Sequence, residues 1–344
     1  MPPKIRRVES LVLAAWSKRG ALAILLLPLA AVFFCLTAVR RKAYSSGLLR
    51  VASLPVPVVV VGNINSGGTG KTPLVINLVD HLKRHGHKPG VISRGYGGRG
   101  QGGVVLDGAD PTMFGDEPLL IRARTSCPVV VNRNRVEAAK LLLQHAPETT
   151  VIISDDGMQH YALPRQIEIA VVNAHGFMNG WLLPAGPMRE SMSRLRNVDA
   201  VVGNGINASE LGSSAVPFFQ MNIRAGNFFA LHDRQRRVTS TNWHGKKVHA
   251  VAGIGHPERF FQHLKALDVV STDHAFPDHH DYRAEELDFY GDAILTTEKD
   301  AVKLARLSLG LPVWVLPIDA VLEPNLADFI VKKLVEKNRG FPTT

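Results

Sequence analysis

Residues 58–73 read VVVVGNINSGGTGKTP, an apolar run that empties into a glycine-rich turn ending in Gly70-Lys71-Thr72. Four consecutive valines with no polar alternation describe a strand buried on both faces, the habit of a parallel sheet covered by helices. A turn at the C-terminal end of such a strand, leading into a helix, sets backbone N–H groups where anions bind. Gly67, Gly68 and Gly70 let the backbone aim those groups at phosphate oxygens, Lys71 adds a point charge, and Thr72 offers a hydroxyl to Mg2+. The run Asn65, Ser66, Gly67, Gly68, Thr69, Gly70, Lys71 and Thr72 is therefore the expected cradle of a nucleotide. The glycine that usually opens such a phosphate loop is replaced by Asn65. Asparagine tolerates a left-handed backbone better than most residues, so the turn survives the exchange. A turn without a ligand would not need strand, GGTGKT and helix in that order.

A chain of 344 residues exceeds the usual single domain, so two domains are expected, each with its own core. Cys35 and Cys127 are the only cysteines, which rules out a disulfide framework or a cysteine-based zinc site and suits a reducing compartment. The net charge of +10 is concentrated at one end: residues 1–50 hold nine lysines and arginines against Glu9 alone, a balance of +8. A nucleic-acid binder would spread its cations over a folded face, whereas these bracket an apolar stretch, so no nucleic-acid partner is expected. Residues 21–39 carry no charge, with Lys18-Arg19 before them and Arg40-Arg41-Lys42 after. That length is just sufficient for a spanning helix, although Pro28 invites a kink. A helix lying in the interface, extended by an amphipathic piece at 8–16, is the alternative. A cleaved signal peptide would carry a phosphate-binding enzyme away from cytosolic ATP. The favoured reading is an anchor at 1–45 meeting an anionic membrane surface.

Beyond the anchor, apolar strands at 58–61, 89–93, 128–131, 151–154, 167–172 and 198–202 alternate with helices or loops, which predicts an α/β fold with a mostly parallel sheet flanked by helices over 46–217. The strand at 89–93 opens a cationic loop, Arg94-Gly-Tyr-Gly-Gly-Arg99, at a sheet's C-terminal end, where open α/β sheets bind ligands. In FGDEP, Pro118 suits a first helical turn, so Asp116 and Glu117 sit near the positive end of a helix. They are caps, or they take a hydroxyl proton and help to hold Mg2+. Asp155 and Asp156 end the strand at 151–154 and are expected to complete the metal site begun by Thr72. The apolar loop 179–190 closes in Arg189 and Glu190, either as a rigid wall or as one that admits a lipidic substrate and offers Arg189 to a phosphate.

The texture turns short, polar and basic at 218–247, which is expected to be a link, and a second, smaller α/β domain follows at 248–344. Its strands are expected at 248–253, 268–271 and 293–297, with a helix near 284–290. Gly253 and Gly255 lack a following Gly-Lys-Thr and are expected to be turn glycines. DHHDY at 278–282 places histidines beside carboxylates, suited to proton transfer near neutral pH. TTEKDAVK at 296–303 reads equally as a capped helix start or as a ligand contact.

Together, GNINSGGTGKTP, SRGYGG, FGDEP, SDDGMQHYAL, LLPAGPMRE, AGIGHPERFF, DHHDY and TTEKDAVK resemble, in content and order, the tetraacyldisaccharide 4'-kinase family, with Met188 where leucine is common. The resemblance implies a P-loop fold of two α/β domains closing over ATP. It implies phosphorylation of the 4'-hydroxyl of a lipid A disaccharide precursor at the cytoplasmic face of the cytoplasmic membrane, with Mg2+ as cofactor and no protein partner. It assigns Lys71 and Thr72 to the phosphate loop, Asp155 or Asp156 or both to the metal, and Asp116 to the hydroxyl proton, supported by His279 rather than His280. Arg94, His160, Arg189 and Glu190 are implied as substrate or active-site contacts. Two other classes compete. A membrane-associated GTPase switch would need a guanine-reading Asn-Lys-x-Asp sequence, which is not found; a partitioning ATPase would need a lysine where Ser66 stands.

Overall fold

The computed structural model describes residues 12, 15–173, 177–211 and 215–338 of the chain. Strands β1 (Val58–Gly62), β2 (Pro89–Ser93), β3 (Gly103–Val104), β4 (Val129–Val131), β5 (Val151–Asp155), β6 (Ile167–Asn173), β7 (Ala200–Asn204) and β8 (Phe218–Ala225) build the first sheet. The chain then places β9 (Phe228–Ala230), β10 (Asp233–Val238), β11 (Val248–Ala252), β12 (Ser271–Ala275), β13 (Ala293–Thr297) and β14 (Val313–Leu316) in a second sheet. It returns with β15 (Ile318–Glu323) to the first. The strand orders are β15-β8-β7-β6-β1-β5-β2-β4-β3 and β10-β9-β14-β13-β11-β12. In the large sheet only the β3–β4 and β15–β8 edges are antiparallel.

The central position of β1 follows from its composition. Val59 and Val61 enter one core with Leu74, Leu78 and Leu82 of the helix Lys71–Arg84, while Val58 and Val60 enter another with Ala138 and Leu142 of the helix Arg135–His145. Alternate side chains of one strand thus fill both faces of the sheet. The helices Asp116–Thr125 and Leu326–Asn338 cover the same face as Lys71–Arg84, through Leu120, Ile121, Leu326 and Ile330. Asn134 caps the helix Arg135–His145 by accepting from the N–H groups of Val136 and Glu137.

Four expectations change. The 218–247 stretch is not a link: β8 belongs to the large sheet, and β9 and β10 belong to the small one. Alternate burial along β8 hides Phe219 and Met221, a half-buried pattern that polar neighbours disguise. Nor does the C-terminal part stay in the second unit, because β15 pairs with β8 from Ile318–Ala225 to Glu323–Gln220 and the last helix packs on the first core. Strand β12 is displaced to Ser271–Ala275, and 284–287 forms only a 3₁₀ turn.

At the N-terminus the apolar stretch divides at Leu26 into Ala21–Leu25 and Leu27–Ser45. The second segment includes Pro28 in its first turn and ends through Arg40, Arg41 and Lys42. Among the described residues no helix is long and apolar enough to cross a membrane. The amphipathic piece expected at 8–16 lies mostly outside the described residues.

Candidate active site

The turn after β1 is held by its surroundings. Gly70 caps the helix Lys71–Arg84 with φ +90°, and a Cβ there would lie 2.7 Å from Asn204 Nδ2, so only glycine fits. Three asparagines fasten the loop's carbonyls: Asn63 Nδ2 donates to Gly67 O (3.3 Å), Asn173 Nδ2 to Gly68 O (3.0 Å) and Asn204 Nδ2 to Thr69 O (3.1 Å). With the carbonyls tied back, none of the backbone N–H groups of residues 67–72 is hydrogen-bonded among the described residues. They form a nest for an anion. Asn65 behaves differently from expectation. It has no left-handed backbone but forms a short antiparallel bridge with Met188, and the Ser66 N–H donates to Pro187 O (2.8 Å). The first glycine is therefore dispensable because this position is extended, and the cradle proper begins at Gly67.

At the end of β5 the neighbours Asp155 and Asp156 part company. Asp156, at φ +51°, turns to Lys71 (3.5 Å) and Arg189 (3.1 Å). Burial works to raise its carboxyl, but Lys71 and Arg189 prevail and hold it down at about 2. Asp155 is buried, and that burial, only partly offset by Lys71, pushes its carboxyl up to about 6. Its Oδ2 accepts a long bond from Ser93 (3.5 Å), while Oδ1 is buried with no hydrogen-bond partner. Glu117 likewise has one oxygen on Lys299 (2.9 Å) and the other buried and unpartnered. Orphaned anionic oxygens of this kind suit a hard cation such as Mg2+, which takes one or two carboxylates and fills the rest of its octahedron with water and phosphate. The oxygens of Asp155, Asp156 and Glu117 do not all come within 4.8 Å of one another. Thr72 lies half-buried in the first turn of the helix after the loop.

Asp116 opens the helix Asp116–Thr125, buried at 4% exposure. The preceding Gly115, at φ +85°, packs so closely that a Cβ would lie 2.3 Å from Tyr96 O, which seats the 94–99 loop against Asp116. His279 Nδ1, from the loop after β12, and Lys303 Nζ, from the helix Glu298–Leu304 after β13, both reach Asp116 Oδ2 at 2.9 Å. Burial raises the Asp116 carboxyl, yet His279, Lys303 and Lys299 outweigh it and hold it below the usual range. Lys299 also bonds Asp278 (3.0 Å) and stands 3.4 Å from His279 Nε2. Five chemical groups from two sheets thus meet beside a cavity of about 270 Å³, lined by Gly97, Arg99, Asp116, His279, Lys303 and Arg306 among others. His280 also lines this cavity but pairs with Glu286 (3.0 Å), so within DHHDY it is His279 that bonds Asp116.

The remaining expected contacts divide. Arg94 is exposed. The His160 ring is pushed down to about 4, first by burial and then by Arg135 and Arg94, so it is neutral at pH 7. Glu190 does not face the cavity. It is buried, accepts from Gln159 (2.9 Å) and Tyr161 (2.7 Å) and pairs with Arg194 (3.3 Å), which makes it a brace for the 177–190 wall. That wall grips the N-terminus: Trp16 Nε1 donates to Pro184 O (3.0 Å), Arg19 Nε to Asn179 O (3.1 Å), and Arg41 lies 4.0 Å from Glu190.

Several residues here were not singled out from sequence. Arg135, almost fully buried, donates to Asn132 O (2.8 Å) and Asp155 O (3.3 Å) and so props the acidic end of β5. Only its being a charged residue at a buried helical position marks it, and periodicity does not reveal that. Asn63, Asn173 and Asn204 share one signal, an asparagine at or just beyond the C-terminal end of a valine-rich strand.

A family model described as tetraacyldisaccharide-1-P 4'-kinase matches residues 22–335. The chain is 45% identical over 334 residues to a tetraacyldisaccharide 4'-kinase of Aromatoleum aromaticum, covering 96% of this chain and 98% of that one. It is 46% identical over 324 residues to one of an Azoarcus species, covering 93% and 94%. Among solved structures, LpxK from Aquifex aeolicus, described as an "apo" form in complex with ATP, superposes with a TM-score of 0.77 at 30% identity, covering 92% of this chain and 99% of that one. With phosphate loop, acidic strand end and Asp116–His279 pair in one frame, the chain belongs to the tetraacyldisaccharide-1-P 4'-kinase family.

Proposed function

We propose that the protein is an ATP-dependent kinase that phosphorylates the 4'-hydroxyl of a tetraacyldisaccharide 1-phosphate in lipid A biosynthesis, working at the cytoplasmic face of the membrane. The observation that carries this reading is Asp116, an ionised carboxylate held by His279 and Lys303 at the wall of a cavity. Family membership and the likeness to an ATP-complexed relative support ATP as the donor.

The ATP phosphates bind the free N–H groups of residues 67–72 and compete with Asp156 for Lys71 and Arg189. The acceptor's 4'-hydroxyl passes its proton to Asp116 as its oxygen bonds the γ-phosphorus. The bond from that phosphorus to the β,γ-bridging oxygen breaks, and the electron pair leaves with ADP. His279 and Lys303 keep Asp116 ionised until that moment and orient its free oxygen. Asp155, Glu117 and Thr72 are the residues that would hold Mg2+, which when bound neutralises charge on the β- and γ-phosphates.

The helices Ala21–Leu25 and Leu27–Ser45 expose Leu25, Leu29, Leu36 and Val39, each more than half exposed, between Lys18-Arg19 and Arg40-Arg41-Lys42. This pattern supports helices lying in an anionic leaflet, with the 177–190 wall bringing the cavity to a substrate whose acyl chains stay in the bilayer. The test is to incubate the protein with ATP and the disaccharide acceptor in anionic vesicles and weigh the product. A gain of one phosphate on the acceptor supports the reading; ATP hydrolysis with the acceptor unchanged rejects it.

A further inference from the structure

The far end of the helix Lys71–Arg84 carries a cluster that phosphoryl transfer does not use. His81 and His85 stand four residues apart on one face, and Asp328 reaches both from the helix Leu326–Asn338. Asp328 Oδ1 lies 3.1 Å from His81 Nε2 and 4.0 Å from His85 Nε2. Among the described residues this is the one group of three His, Cys, Asp or Glu whose ligand atoms all lie within 4.8 Å of one another. It stands roughly 15 Å along the helix axis from Lys71, at a rise of about 1.5 Å per residue.

We propose that His81, His85 and Asp328 form a binding site for a divalent transition metal of the Zn2+ class, which staples the last helix of the chain to the helix that carries the phosphate loop. Zn2+ bonds of about 2.0–2.1 Å in tetrahedral geometry separate ligand atoms by about 3.3 Å, close to the 3.1 Å already present and reachable from 4.0 Å. Two imidazoles and one carboxylate suit Zn2+ rather than Mg2+, which prefers oxygen throughout. His85 Nδ1 lies 3.0 Å from His81 O; donating its N–H there leaves Nε2 with the lone pair turned to the site. A water takes the fourth position.

Two adjustments accompany binding. The imidazole rings stack with centroids 4.3 Å apart, so His85 has to turn; its side chain is 40% exposed and does so without disturbing the core. Arg84 Nη2 lies 3.4 Å from His81 Nδ1 and has to withdraw, so that Nδ1 carries the ring proton while Nε2 binds the metal. Arg84 therefore opposes the site by charge and by hydrogen bonding.

The test uses the full chain, free of nucleotide and of any histidine tag, titrated with Zn2+ by calorimetry, alongside His85→Ala and Asp328→Asn. The wild type is expected to bind one equivalent that both variants lose or bind tenfold or more weakly, while Arg84→Ala binds it more tightly. The unfolding temperature is expected to rise with Zn2+ in the wild type and to lose that rise in both variants. Zn2+ taken by the active-site carboxylates is common to all four proteins and cancels. Both altered side chains are substantially exposed, and retained Mg2+-ATP kinase activity reports that the variants are folded. Equal stoichiometry and affinity in the wild type, His85→Ala and Asp328→Asn overturns the proposal.

Discussion

His279 Nδ1 lies 2.9 Å from Asp116 Oδ2 across the boundary between the two sheets, with Lys303 on the same oxygen. One carboxylate oxygen is thus committed to two cation-capable groups, and in the proposed mechanism the other takes the acceptor's proton. His279→Ala is expected to lower kcat about 10²-fold, the ordinary scale of a proton-transfer partner, with little change in KM for ATP. Steady-state kinetics at saturating acceptor checks it; a rise in KM for ATP with kcat intact would make His279 a nucleotide contact.

The neighbours Asp155 and Asp156 predict opposite responses to pH. Burial raises Asp155 to about 6, so the folded state disfavours its ionisation: the penalty is absent below about pH 4, grows through 6 and is complete above it. Asp155→Asn is therefore expected to stabilise the metal-free protein at pH 7.5, by on the order of 2 kcal/mol, and to make no difference near pH 4. Asp156, held at about 2 because Lys71 and Arg189 outweigh its burial, contributes stability above about pH 4 that is lost as pH falls through 2. Asp156→Asn is expected to destabilise at pH 7.5 by on the order of 1–2 kcal/mol. Denaturant titrations of both variants at the two pH values measure these signs.

Gly70→Ala would force a side chain onto a backbone at φ +90° and against Asn204. A cost of about 1–3 kcal/mol in stability is expected, with loss of ATP binding as the nest distorts. Asn204→Ala, which frees the Thr69 carbonyl, is expected to weaken ATP about tenfold while leaving the fold intact. Fluorescent-nucleotide titration distinguishes the two.

Much of this was legible in the sequence because it is local. The valine run fixed β1 between two cores, and Gly-Lys-Thr fixed the loop that follows it. Asp116 is visible because it opens a helix after a glycine turn, and Asp155 because it closes an apolar strand. What escaped was non-local. In the TTEKDAVK run a capped helix start and a ligand contact were both open; Thr297 does cap Asp300, and the same short helix sends Lys299 and Lys303 to Glu117 and Asp116, about 180 residues away in sequence. Strand β8 does not read as a strand because one of its two partners, β15, lies nearly a hundred residues downstream, and a strand whose buried residues alternate with exposed polar ones resembles a link. The sequence sets Glu190 beside Arg189, but the chain bends at 189–190, so Arg189 meets Asp156 while Glu190 is buried against Tyr161.

The N-terminal helices carry a prediction of their own. Leu36→Asp with Val39→Asp removes two side chains that are 65% and 68% exposed, each worth about 1.5 kcal/mol when buried in lipid. Binding to anionic vesicles is expected to weaken at least tenfold, with activity on a detergent-dispersed acceptor preserved. Vesicle co-sedimentation gives the answer, and unchanged binding would remove these helices from the membrane.

The most direct measurement is transfer of radiolabel from [γ-32P]ATP to the tetraacyldisaccharide 1-phosphate by the wild type and by Asp116→Asn, with ATP affinity measured in parallel. The expected result is labelled acceptor from the wild type and a loss of about 10³-fold or more in Asp116→Asn, whose ATP affinity stays within about threefold. Unlabelled acceptor with the wild type, or full turnover in Asp116→Asn, would contradict the account.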